Sequence, residues 1–437
     1  MENQTILPQV GKLPIARLRE TLDKAFKTLG PGLITGAADD DPSGIATYSS
    51  VGAQFGYSML WTMPLIYPFM TAIQEISARV GRVTGKGIAA NMLRCYPRWL
   101  VCTIVGLLLF ANIINLGADI GAMGAAVQLL IGGPAPLYCI LLSCASVLLQ
   151  VFMPYKKYAA CLKWLTFSLF AYIGAAFAVE IDWHQALKAT LVPSISFAPE
   201  YLAALVAVFG TTISPYLFFW QSAEEIEEMR SVPREKPLKR APQQASSHFQ
   251  RIRIDTYLGM AISNLIGYFI ILTVAATLNA SGETSIDTAA RAAEALRPIA
   301  GPLATLLFAF GIVGTGLLAL PVLAGSAAYA VCEAFRWPAS LERKLNKAKA
   351  FYAILALAIV IGLSLNFTSV NPISALVWAA VINGVTAAPL MCFIMLIACN
   401  RALMGKFVIP LYLRILGWMG TTIMTLAAIG MFLPRGK

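Results

Sequence analysis

The chain has 437 residues, 58% of them hydrophobic and 13% charged, with a formal net charge of +11. Soluble domains run at roughly 45–50% apolar and about 25% charged residues, and one soluble core stops growing at a few hundred residues, so it cannot hide this excess. A soluble enzyme, a nucleic-acid binder and a disordered chain are excluded, and the sequence reads as an all-α integral membrane protein.

A membrane helix takes about 20 largely apolar residues. The first candidate, Phe26–Gly56, is broken at Asp41-Pro42-Ser43-Gly44, and continuous spans follow over 59–80, 100–130, 136–154 and 158–180. A sixth, Glu200–Ser222, is broken at Thr211-Thr212-Ile213-Ser214-Pro215; 254–278, 302–332, 350–367, 373–398 and 408–433 complete eleven spans. Residues 1–25 are expected to be a cytoplasmic segment and 26–433 a single membrane domain. Within it, sets of about 26–180 and 200–398 precede an extra helix at 408–433. The stretch 229–250, rich in Pro, Ser, Gln and base, is expected to be a flexible cytoplasmic loop, and Ser285–Pro298 a short external helix.

Charge placement fixes the expected topology. No Lys or Arg lies in 101–150 or 351–400. With the N-terminus inside, 28 of the 33 basic residues fall on the inner side and 5 on the outer, the asymmetry of the positive-inside rule. The C-terminus is then extracytoplasmic. Short loops and the lack of a targeting signal point to a prokaryotic inner membrane. The eight cysteines are scattered singly, without metal-binding spacing, and read as small buried hydrophobes.

The two broken spans open two successive five-span sets, the arrangement that marks a transporter site near the midplane. Pro42 and Pro215 push Asp41 and Ser214 out of the α region, so each should end a half-helix. Carbonyls freed at such depth must be satisfied, and a cation will serve. Asp39, Asp40 and Asp41 lie a dozen residues into an apolar span, where each ionised carboxylate costs roughly 2.5–3.5 kcal/mol or more. They also crowd a helix C-terminus, whose dipole opposes negative charge. A divalent cation relieves both problems. Successive helical residues point about 100° apart, so all three cannot face one ion. Asp41 is the first candidate ligand, with Asp39 and Asp40 as approach, outer-shell or merely packed groups.

Other polar residues read less sharply. Glu75, beside Gln74 and four residues before Arg79, suits a structural salt bridge. Asp119 is either a relay or gating group or a buried, hydrogen-bonded acid. Asn383 either offers an amide oxygen or bridges helices. Glu224, Glu225, Glu227 and Glu228 read as a solvated acidic face that would also gather cations at an inner mouth. His184 and His248 fall in loops, which excludes a membrane-embedded histidine relay.

Three stretches resemble the Nramp family of divalent metal transporters: Gly30-Pro31-Gly32 with Asp41-Pro42-Ser43-Gly44-Ile45-Ala46-Thr47; Gln74 through Gly85; and Asn115-Leu116-Gly117-Ala118-Asp119. The resemblance implies a LeuT-like inverted repeat of spans 1–5 and 6–10, alternating about an ion bound between the two breaks. Family members usually read Asp-Pro-Gly-Asn at the first break, with the Asp and Asn as ligands; here Asp41 is kept and the Asn position is Gly44. At the second break the family has Ala-Thr-Val-Met-Pro-His, with the Ala carbonyl and Met sulfur as ligands. Here Thr211 stands at the Ala, Thr212 follows it, Ser214 replaces the Met and Tyr216 the His. A further family His is Gln221.

An all-oxygen site suits hard Mg²⁺, Ca²⁺ or Mn²⁺, whereas a thioether favours softer metals. The lost Asn and Met also open volume, which suits an ion that keeps its waters. The pattern resembles the Nramp-related magnesium transporter branch. Proton-coupled members carry Asp-x-x-Glu in span three and arginines in span nine. This chain has Asp119 followed by Ala122, and no base in span nine.

The expectation is uncoupled uptake of Mg²⁺, with Mn²⁺, bound partly hydrated through Asp41, Gly44, Thr211 and Ser214. Asp39, Asp40, Thr212, Tyr216, Gln221, Asn383 and Asp119 would line the pathway. The first alternative is a proton-coupled Mn²⁺/Fe²⁺ symporter; a sodium-coupled amino-acid symporter on the same fold suits three Asp poorly. An enzyme lacks an embedded nucleophile and base. The expected partners are the metal ion and the bilayer, with no cofactor, nucleic acid or obligate protein partner.

Overall fold

Apolar runs must fold as helices in lipid, because each backbone N–H and C=O has to be bonded within its own segment. The computed structural model describes residues 35, 36, 38–153, 169–341 and 345–432, apart from the side chains of 299 and 300. Among these the regular structure is helical, without strands. The principal helices are α1 Pro42–Phe55, α2 Thr62–Thr84, α3 Arg98–Ile131, α4 Ala135–Phe152, α5 Phe170–Ala178 and α6 Pro199–Thr212. They continue with α7 Pro215–Ser231, α8 Ala245–Val274, α9 Ala304–Phe335, α10 Lys349–Ser364, α11 Pro372–Ala398 and α12 Leu411–Phe432.

Four of them start on a proline at the first helical position: Pro42, Pro199, Pro215 and Pro372. There its missing N–H costs nothing and its fixed φ is already helical. Among the described residues eight helices are long and apolar enough to cross a membrane, α6 with α7 counting as one. The other three expected spans are accounted for. The α2 helix has the length but carries Glu75, Arg79 and Arg82. Span one lies partly outside the described residues, as do span five over 158–168, the segment 1–25 and the C-terminal end past 432.

The helices flanking the breaks are the innermost. The α1 helix packs on α6, α8 and α11; α2 packs on α7, α8 and α12; and α3 packs on α9, α10 and α11. The α6–α11 contact is backbone on backbone: a Cβ on Gly210 would collide with the Ala380 carbonyl and with Gly384. Only glycine allows that approach.

Three expectations about the charged and histidine residues are corrected. The four glutamates of α7 are not a solvated face. Glu225 is fully buried and pairs with Arg251 at 2.6 Å, while Arg251 also holds Glu228 at 2.9 Å. Glu227 accepts from Tyr329 at 3.2 Å and from Ser340 at 2.8 Å. The stretch 229–250 is no loose tether. Leu238 and Lys239 donate backbone N–H groups to Arg82 and Val83 at 3.2 and 3.3 Å, and Glu235 is bonded to buried Arg82. His248 is not in a loop but in the first turn of α8, its Nε2 2.7 Å from Arg82 Nη2. His184 lies in a short helix, Trp183–Leu191. The Glu75–Arg79 bridge is present at 2.6 Å.

Removing one partner of a buried ion pair strands the other charge, at about 3–5 kcal/mol. Arg251→Ala, which leaves Glu225 unpaired, should therefore lower the thermal midpoint of the purified protein far more than Arg253→Ala, whose side chain is half exposed. Equal effects in a detergent melting assay would contradict the buried pairing.

Candidate metal site

The breaks are built alike. The described part of the half-helix before α1 ends at Asp39, and α6 ends at Thr212. Asp41 and Ser214 are both extended, with ψ of 169° and 125°, as residues before proline are. Each is the N-cap of the half-helix that follows, which revises the expected electrostatics at Asp41. Its carboxylate sits at the N-terminus of α1, where the dipole favours negative charge.

Four donors surround that carboxylate. Gly44 N and Ser43 Oγ reach Asp41 Oδ1 at 2.8 and 2.7 Å. Asn115 Nδ2 from α3 and Tyr216 Oη from α7 reach Oδ2 at 3.0 and 3.2 Å. Bonds to a charged group are worth about 1.5–3 kcal/mol each, so this set offsets much of the cost of holding a carboxylate at depth. The half-helix on one side of each break is thereby tied to the other: Tyr216 follows the second break and grips the first.

Gly44 opens a notch between the breaks. A Cβ placed on it would lie 3.2 Å from Thr211 Oγ1, 3.5 Å from the Asp39 carbonyl oxygen and 3.6 Å from Asp41 Oδ1. Thr211 Oγ1 is buried and has no hydrogen-bond partner among the described residues. Three oxygens thus converge on a space that a longer side chain would fill. Ser214 is engaged differently: its hydroxyl folds back on its own helix, donating to the Thr211 and Gly210 carbonyls at 2.7 and 3.2 Å. Only its lone pairs remain to face anything else.

The remaining expected pathway groups divide between the site and its supports. Asp39 and Asp40 turn away toward α8, where Ser263 Oγ lies 2.7 and 3.0 Å from their carboxyls. They do not join Asp41 on one ion, and among the described residues no group of three His, Cys, Asp or Glu is placed to hold a metal. Thr212 accepts from Tyr48, at 2.9 Å, which links α6 to α1. Gln221 accepts from Thr35 at 2.5 Å, joining α7 to the half-helix before the first break. Tyr216 also donates to the Ala38 carbonyl at 3.2 Å.

Asn383 is a helix bridge: its Nδ2 donates to Asn115 Oδ1 at 3.0 Å. Asn115 in turn bonds both Asp41 and Asp119, the latter at 3.1 Å. Asp119 is accordingly a buried acid one hydrogen-bonded residue from Asp41. Asn115, Ser43 and Ser263 were not singled out as site residues by sequence reasoning. For Asn115 the signal was present, since Asn112, Asn115 and Asp119 share one face of an otherwise apolar helix.

With this geometry in place, the comparisons with known proteins identify the lineage. The profile described as natural resistance-associated macrophage protein-like (Nramp) matches residues 32–434. The chain belongs to the Nramp family. It is 26% identical over 396 residues to the divalent metal cation transporter MntH of Aeromonas hydrophila, covering 87% of this chain and 88% of the relative. To the MntH of Klebsiella pneumoniae it is 25% identical over 399 residues, covering 89% and 90%. The structure of the Eremococcus coleocola manganese transporter superposes with a TM-score of 0.71 at 18% identity, over 92% of this chain and 85% of that one. That likeness establishes the fold. The relatives are transporters and not enzymes.

Asn115 acts on Asp41 through one hydrogen bond, and losing a neighbour that orients a metal ligand typically costs 10–100-fold in affinity. Asn115→Leu, which keeps the bulk, should weaken Mn²⁺ binding about tenfold by calorimetry and also lower the melting temperature, because Asp41, Asp119 and Asn383 each lose a buried partner. Unchanged affinity would remove Asn115 from the site.

Proposed function

We propose that this Nramp-family chain carries divalent metal cations across the membrane, and that the ion rests in the notch beside Gly44. The observation that carries the proposal is the convergence there of Asp41 Oδ1, the Asp39 carbonyl and the unpartnered Thr211 Oγ1. One carboxylate, one carbonyl and a hydroxyl make a hard, all-oxygen donor set, the kind that suits an ion which keeps some of its waters. The lone pairs of Ser214 add a fourth oxygen or hold a water. The three atoms nearest the Gly44 Cβ position are all oxygens, so the preferred substrates are Mg²⁺ and Mn²⁺, partly hydrated. Asp39 and Asp40, bonded to Ser263, line the approach.

The relatives' names, a divalent metal cation transporter and a manganese transporter, match the metal of the alternative reading, a proton-coupled Mn²⁺/Fe²⁺ symporter, better than a magnesium carrier. Mn²⁺ is served by the same oxygens, so the two readings part on Mg²⁺ and on protons. Against coupling stand the residues at the family's proton-linked positions: Ala122, Tyr216 and Gln221 replace ionisable groups, and 350–367 carries no base. On these grounds we read the movement as uncoupled, down the metal gradient and the membrane potential.

Proteoliposomes of the purified protein, with a trapped divalent-metal dye and a lumenal pH dye, separate these readings. Saturable Mg²⁺ and Mn²⁺ influx without lumenal acidification, abolished by Asp41→Ala, is expected. Mn²⁺ influx that acidifies the lumen, with no Mg²⁺ influx, would establish the alternative instead. In the same assay Ser214→Met should favour Mn²⁺ over Mg²⁺ several-fold, since it restores a soft donor.

A further inference from the structure

Away from the breaks, the ends of α2, α7 and α9 border an open cavity of about 610 Å³ lined by Lys86, Arg94, Arg230, Arg336 and Trp337. Two acids share it, and both are engaged. Glu227 accepts from Tyr329 and Ser340. Glu333 accepts the backbone N–H of Ala90 at 3.2 Å and faces those of Gly87 and Ala89. Arg230 comes no closer than 3.9 Å to Glu227. Among the described residues, Lys86, Arg94 and Arg336 have no carboxylate within ion-pair distance. A cavity so charged repels the transported cation and is not its route.

Two further features point to a ligand. Arg336 caps α9 in the left-handed region, at φ 61°, and is the one non-glycine residue with positive φ among the described residues. Glycine is the usual occupant of such a cap, because other side chains are strained there. An arginine strained in this way and lining a cavity is the kind of backbone outlier that clusters at ligand sites. Exposed aromatics lie beside it, moreover: Trp337, which lines the cavity and is 47% exposed, stacks on Phe335, 42% exposed, and Arg98 lies 5.3 Å over the Phe335 ring. Aromatic belts sit at the headgroup level of a bilayer.

We propose that this cavity binds a phosphate-bearing anion, supplied by the headgroup of an anionic phospholipid. Arginine forks match phosphate oxygens in pairs, and basic pockets between membrane helices hold acidic headgroups. The ligand bridges Arg230 on α7 to Arg336 on α9, and so ties the half-helix beyond the second break to the helix beside it.

Native mass spectrometry of the full chain in detergent, titrated with short-chain phosphatidylglycerol or phosphatidylcholine, tests this. One phosphatidylglycerol should bind at least tenfold tighter than phosphatidylcholine. Arg94→Gln with Arg336→Gly should weaken it about tenfold while the melting temperature holds or rises, since glycine relieves the cap. Should that pair fail to fold, exposed Lys86→Gln gives the same readout with a several-fold loss. Displacement of the lipid by pyrophosphate would show that the phosphate itself is recognised and that a soluble anion can also supply it; resistance would leave the lipid as the sole source. Equal affinity for the two lipids, or folded variants that bind phosphatidylglycerol as the parent does, would overturn the proposal.

Discussion

A carboxylate placed midway across a bilayer must be bonded on every side, and the arrangement around Asp41 meets that demand with donors from three helices. Ser43 and Gly44 supply the first turn of α1, Asn115 comes from α3 and Tyr216 from α7. Because the donors come from both halves of the chain, the carboxylate fixes how the two broken spans meet. The notch beside Gly44 exists only where they do. A cation entering it would exchange water for the Asp41 and Thr211 oxygens, and Asn115 would carry any shift of the carboxylate to Asp119 and Asn383.

Much of the fold was legible from the sequence because lipid leaves so few choices. Apolar length predicted several long helices within a few residues, 373–398 becoming Pro372–Ala398 and 100–130 becoming Arg98–Ile131, although 254–278 became Ala245–Val274 because the helix runs on through its charged first turns. Proline punctuation placed both breaks. What composition could not give was the polar end. The stretch 229–250 has the make-up of a flexible linker, yet Glu235 and His248 are held by Arg82, a residue 153 positions from Glu235 in sequence. Likewise the α7 glutamates look like a wet surface until Arg251 is brought beside them.

At the candidate site, sequence reading named residues but not the hydrogen-bond partners the structure gives them. Asp41, Gly44 and Thr211 do converge with the Asp39 carbonyl, while the carboxyls of Asp39 and Asp40 are bonded to Ser263 instead. The sign of the dipole at Asp41 was misjudged because a break has two ends. The carboxylate was assigned to the helix that stops, whereas it caps the helix that starts. Asn115 escaped notice because an amide in an apolar helix carries no charge, although its spacing from Asp119 marks it.

The central claim is positional: the ion sits between the half-helices, beside Gly44. The most direct measurement is anomalous scattering from crystals soaked in Mn²⁺. The account predicts a peak within about 2–2.6 Å of an Asp41 oxygen and of Thr211 Oγ1, and its loss in Asp41→Asn crystals. A peak elsewhere along the breaks, or one at this place that survives Asp41→Asn, would contradict it.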